Sequence, residues 1–190
     1  MFKRPNYKEN AVRYGLTTFL LLAMLTETSA KFRKVAKIQT PIRHISSSDS
    51  TEKNAYSLLL KSEQGKIINI AEQKGKVVFI NFWALSCIPC KAEMPTINQL
   101  AGHFKNDTNI VILPVDVDNT LAASRAYMSD KGFGLAIYFI ASPVPEILFH
   151  GQLPTTVVID KNGKIALFRE GEDNYGTKEF IDYMDKLGKQ

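Results

Sequence analysis

The stretch Val77-Val78-Phe79-Ile80-Asn81-Phe82-Trp83 is an apolar run of strand length, and Cys87-Ile88-Pro89-Cys90 follows it within four residues. A run of this kind, bounded by turn signals, reads as a buried strand. The two cysteines, the only ones in the chain, therefore fall where the strand ends and a helix begins. A sulfur at a helix N-terminus faces unpaired backbone N–H groups and the positive end of the helix dipole, and both favour the thiolate. Two intervening residues let the second sulfur reach the first, so a mixed disulfide formed at Cys87 can be resolved by Cys90. The spacing points to redox chemistry.

Working outward, residues Cys90 to about Phe104 repeat as a helix with Met94, Ile97, Leu100, Ala101 and Phe104 on one face, and Pro95 inside it should kink it. Ile110-Val111-Ile112-Leu113-Pro114-Val115 reads as a second strand buried on both faces. Asp118 or Asn119 could cap a helix from about Thr120 to Lys131, with Gly132 beyond its end. Ile137–Ile140 and Glu146–Phe149 read as short apolar segments separated by Pro143 and Pro145. Thr155–Ile159 and Lys164–Phe168 flank Asp160-Lys161-Asn162-Gly163, a hairpin signal. An amphipathic helix from about Thr177 to Leu187 closes the chain, with Phe180, Ile181, Met184 and Leu187 inward. Upstream, Tyr56–Leu60 and Lys66–Ile70 flank Gln64-Gly65, a first hairpin. The order is that of an α/β sandwich with a mixed central sheet.

The first thirty residues differ in kind. Lys3, Arg4, Lys8 and Arg13 precede the apolar run Gly15–Leu25, and Thr28-Ser29-Ala30 supplies a cleavage signal. This is the pattern of an export signal, either cut after Ala30 or kept as an N-terminal anchor. Residues 31–53 carry scattered Lys and Arg, Pro41 and the run Ser46-Ser47-Ser48-Asp49-Ser50, and read as a basic, Ser-rich linker. The folded domain is expected over 54–190. The 190 residues are 45% hydrophobic and 23% charged, as in a soluble globular protein. The formal net charge is +5, and residues 1–30 hold +2 of it. With no basic stripe interleaved with aromatics, a nucleic-acid partner is not expected.

Two separated motifs carry a family resemblance. Phe82-Trp83-Ala84-Leu85-Ser86-Cys87-Ile88-Pro89-Cys90-Lys91-Ala92-Glu93-Met94-Pro95 resembles the active-site signature of thioredoxin-like proteins, and more narrowly of exported TlpA/ResA-type thiol–disulfide oxidoreductases. Gly151-Gln152-Leu153-Pro154-Thr155-Thr156-Val157-Val158-Ile159-Asp160-Lys161-Asn162-Gly163 matches a second family element. The resemblance spans roughly residues 54–187 and implies a thioredoxin fold with an added N-terminal β-hairpin. It makes Cys87 the exposed attacking thiol, Cys90 the buried resolving one, and Leu153–Pro154 a cis bond in a loop that lies against the disulfide and pairs with substrate backbone.

Glu93 falls where TlpA/ResA-type proteins keep an acidic residue. General thioredoxins instead place a buried aspartate six positions before the first cysteine, where this chain has Asn81. Asn81 cannot accept a proton, so Glu93 is the candidate for proton transfer, its pKa raised by desolvation. The alternative is a first-turn glutamate with its side chain in water. Trp83, Ile88 and Pro89 join Leu153 and Pro154 as candidate substrate-binding residues, with Trp83 packed beneath the dithiol. Ser86 departs from the pattern, because many relatives carry a large side chain there.

The resemblance implies an oxidoreductase acting on protein disulfides outside the cytoplasm as a reductant, possible roles in cytochrome c maturation included. It would be periplasmic or anchored to the outer face of the cytoplasmic membrane, and monomeric. It needs no cofactor beyond the Cys87–Cys90 disulfide. An external dithiol donor, such as a membrane redox protein, must recharge it because no second cysteine pair exists. The rival readings are a dithiol oxidase and a non-catalytic binding module of the same fold. A zinc site would need more ligands than two cysteines and the unpaired His44, His103 and His150 provide. His150 precedes the Pro154 loop and is the histidine expected nearest the dithiol.

Overall fold

The computed structural model describes residues 56–190. The export or anchor segment 1–30 and the linker 31–53 lie outside the described residues. Seven strands form one sheet: β1 (Leu59–Ser62), β2 (Ile67–Asn69), β3 (Val77–Trp83), β4 (Ile110–Asp116), β5 (Tyr138–Ile140), β6 (Thr155–Ile159) and β7 (Ile165–Glu170). Three helices accompany them: α1 (Ile88–His103), α2 (Leu121–Asp130) and α3 (Lys178–Lys189). The strand order is β2-β1-β5-β4-β3-β6-β7. β3, β4 and β5 run parallel, and β1, β2, β6 and β7 attach antiparallel at the two sides. The N-terminal hairpin thus extends the sheet beyond β5.

β3 lies near the middle of the sheet because every one of its residues can be buried, and all seven are. Its side chains divide between two cores. Val77, Phe79 and Trp83 join Cys90, Met94, Ile97 and Leu100 of α1, Met128 of α2, and Met184 and Leu187 of α3. Val78, Ile80 and Phe82 meet Leu58, Ile70 and Leu148 on the other face. The steps β3-α1-β4 and β4-α2-β5 move in one direction across the sheet. Right-handed crossovers then carry both helices to the same face.

Two local expectations change. The N-cap of α2 is neither Asp118 nor Asn119: Thr120 holds that position without a side-chain cap bond, and buried Asp116 at the end of β4 braces the turn that leads into the helix. The Asp116 carboxylate accepts from Thr120 N–H (3.0 Å), the Thr120 hydroxyl (3.1 Å), the Ser124 hydroxyl (2.6 Å) and Asp118 N–H (2.9 Å). Asn119 instead adopts φ +53° and accepts from Ile140 N–H. Glu146–Phe149 forms no strand, since Pro143 and Pro145 remove ladder donors. It makes a turn that buries Leu148 and stacks Phe149 on Phe82 at 4.7 Å. In β4, Val111 and Ile112 are only half-buried. Among the described residues, no helix is long and apolar enough to cross a membrane.

Candidate active site

The cysteines sit at the C-terminal end of β3, where open parallel sheets place their functional groups. Cys87 is the N-cap of α1, in extended backbone (φ −83°, ψ 106°). Its Sγ accepts from Cys90 N–H at 3.2 Å, the position an N-cap oxygen usually takes. Cys87 and Cys90 are joined as a disulfide with Cα atoms 5.3 Å apart. Cys87 is half-buried while Cys90 has no exposed surface. Ile88 stands 76% exposed between them, with Pro89 and Ser86 also on the surface. One helical turn thus presents one sulfur outward beside an apolar side chain and hides the other.

Glu93 lies one turn further along α1 and is only 2% exposed, so it is not a first-turn carboxylate in water. Its Oε1 accepts from Asn81 Nδ2 at 2.7 Å and its Oε2 from Asp173 N–H at 3.1 Å. Asn81 Nδ2 also donates to Thr156 Oγ1 at 2.9 Å, while Asn81 Oδ1 is buried without a partner. The position that carries an acid in general thioredoxins and the one that carries an acid here therefore touch. Burial pushes the Glu93 carboxyl up from 4.5 to about 7. The hydrogen bonds from Asn81 and Asp173 oppose that rise, and the charges of Asp173 and Glu172 add to it.

The other expected residues divide. Leu153–Pro154 is a cis peptide bond. β6 begins at Thr155 opposite Phe82, which places Pro154 beside the end of β3 that leads to the dithiol. Pro154 is buried and Leu153 half-buried, packed against the core that contains Cys90. Trp83 has no exposed surface and shares that core, its ring 6.0 Å from that of Tyr127. It therefore offers no exposed surface beside the dithiol, unlike Ile88. His150 is exposed and lies 3.3 Å from Glu170. Asp173, Thr156 and Tyr175 escaped the sequence reading. For Asp173 and Tyr175 the one signal was the turn-forming run Gly171-Glu172-Asp173-Asn174-Tyr175-Gly176, which marks a loop without showing what it covers, whereas Thr156 was read only as part of the β6 strand. Among the described residues, no group of three or more His, Cys, Asp or Glu is placed to hold a metal ion.

A mixed sheet with a half-exposed cysteine capping a helix and its partner buried one turn on defines a thioredoxin-like thiol–disulfide oxidoreductase. A family model described as the AhpC/TSA family matches residues 51–168, and the chain belongs to that family. It is similar to the thiol-disulfide oxidoreductase ResA of Bacillus thuringiensis (strain Al Hakam), 33% identical over 137 residues that cover 71% of this chain and 77% of the relative. The ResA protein of Bacillus subtilis (strain 168) is 32% identical over 136 residues, covering 70% and 74%. Among solved structures, a thioredoxin-family thiol:disulfide interchange protein from Chlorobium tepidum TLS shares the fold with a TM-score of 0.54 and 23% identity, over 67% of this chain and 90% of that one.

Proposed function

We propose that the protein is an exported reductant of protein disulfides. The observation that carries the reading is the unequal exposure of the two sulfurs: Cys87 half-exposed on the helix cap, Cys90 sealed beneath it. In the reduced enzyme the N–H of Cys90 stabilises the Cys87 thiolate. That thiolate attacks one sulfur of a substrate disulfide, the substrate S–S bond breaks, and the departing sulfur leaves as a thiolate that takes up a proton. Cys90 then passes its proton to Glu93 and attacks Cys87. The second substrate thiolate departs, and the Cys87–Cys90 disulfide closes. Two electrons have moved to the substrate, and an external dithiol returns them to the enzyme. Ile88, Pro89 and Leu153 offer the apolar contacts beside Cys87.

Export rests on the basic-then-apolar pattern of residues 1–30 with its Thr28-Ser29-Ala30 end. Residues 31–53 then link the domain to a retained anchor, or form its N-terminal segment after cleavage. The reducing direction rests on the likeness to the ResA proteins, and it fits service to a dithiol-dependent process such as cytochrome c maturation.

The test is capture. A Cys90→Ser protein expressed with its leader accumulates a mixed disulfide through Cys87, and Cys87→Ser captures nothing. Capture through Cys90 in the Cys87→Ser protein would reverse the assignment. Equilibration of the purified protein with glutathione buffers then fixes the direction. A reduction potential near or above about −150 mV would make it an oxidant.

A further inference from the structure

The segment Gly171–Gly176, which joins β7 to α3, is tied down at three points around the site. Gly171 N–H donates to Pro154 O at 2.9 Å, Asp173 N–H to Glu93 Oε2 at 3.1 Å, and Tyr175 N–H to Thr96 Oγ1 of α1 at 3.1 Å. While its backbone faces Glu93, the Asp173 carboxylate forms an ion pair with Arg169 of β7 and accepts from Asn174 N–H at 2.8 Å. Arg169 lies opposite Thr156 in the β6–β7 ladder, and Thr156 accepts from Asn81, the other donor to Glu93.

An ion pair with partners 46% and 31% exposed contributes little to stability. Its position gives it a different consequence. Asp173 must come close to bring its N–H to Glu93, and its negative charge comes with it. Part of the path between the two carboxylates runs through protein, where charge is screened less than in water. The ionisable groups facing Glu93 are Asp173 and Glu172 of this segment and Tyr175, whose hydroxyl burial keeps protonated. β3 and β6 present only the uncharged Asn81 and Thr156, and α1 presents Cys90, held in the disulfide.

We propose that Arg169 and Asp173 are positioning residues that set the protonation of Glu93: Arg169 offsets part of the Asp173 charge, so the segment delivers a hydrogen bond to Glu93 while limiting the negative charge that comes with it. The consequence for catalysis rests on the role proposed above for Glu93; the electrostatic coupling itself does not.

The experiment titrates the Glu93 carboxyl directly, by carbon-13 NMR of the full, oxidised chain labelled at glutamate. Arg169→Gln leaves Asp173 uncompensated and raises the Glu93 midpoint by about half a pH unit, the scale of an exposed ion pair. Asp173→Asn keeps the backbone N–H, removes the charge and lowers the midpoint by a similar amount. Arg169→Lys restores the wild-type midpoint. A merely loosened segment would move both midpoints the same way. Shifts of one sign, or no shift in either variant, overturn the proposal. The same variants are then assayed for disulfide exchange against pH. Opposite shifts at Glu93 with unchanged rate profiles would uphold the coupling and remove Glu93 from the proton transfer.

Discussion

Glu93 makes the stability of the oxidised protein depend on pH in a way that one substitution removes. The folded carboxyl releases its proton near pH 7, whereas the same group in an unfolded chain does so near 4.5. Between those values the folded state holds a proton that the unfolded state has lost, so stability falls as pH rises through the window. Each unit is worth about 1.4 kcal/mol, and a window of about two and a half units therefore removes about 3 kcal/mol. Glu93→Gln cannot titrate. Its amide would face one of the two N–H donors, but Asn81 can turn over and offer Oδ1, which has no partner in the native structure. The cost of that rearrangement is the same at every pH. Urea unfolding of both oxidised proteins from pH 4.5 to 8 gives the difference in stability, in which other titrating groups cancel. That difference should move by about 3 kcal/mol in favour of the variant, mostly below pH 7. A constant offset across the range would show that Glu93 ionises normally and that its burial does not hold the proton.

Two further outcomes follow from other contacts. Asp116→Ala removes an acceptor used by two backbone N–H groups and two hydroxyls, leaving buried Ser124 only its 3.3 Å contact with the Thr120 hydroxyl; a loss of about 3 kcal/mol in urea unfolding is expected, and a loss below about 1 kcal/mol would show that the start of α2 does not depend on this network. Ile88→Asp puts a charge on the most exposed apolar side chain beside Cys87; reduction of a protein disulfide should slow by about tenfold while reduction of a small aromatic disulfide changes little, and equal slowing of both would place Ile88 outside the docking surface.

The strand-to-dithiol junction was legible because each of its parts is local. An apolar run of seven residues has one stable place in a sheet, and two cysteines three positions apart meet on any helical first turn. The same holds for the β6–β7 hairpin, whose Asp160–Gly163 turn is written in four consecutive residues. The start of α2 was misplaced because the side chain that organises the turn before it comes from the preceding strand: Asp116 belongs to β4 by backbone pairing and holds Thr120 by its side chain. The apolar segment at residues 146–149 buries Leu148 and packs Phe149 against the core, but the sequence did not show that it forms a turn.

The amino-acid order alone therefore determined the strand, the start of the helix and the pair of sulfurs on its first turn, all consequences of neighbours within about two turns of chain. Only the folded sheet decided what surrounds Glu93. Asn81, Thr156 and Asp173 are 12, 63 and 80 positions away from it, and they meet because β3 lies against β6 and because the β7–α3 segment crosses α1. The raised proton affinity of that carboxyl is a property of burial, and burial belongs to the packed chain.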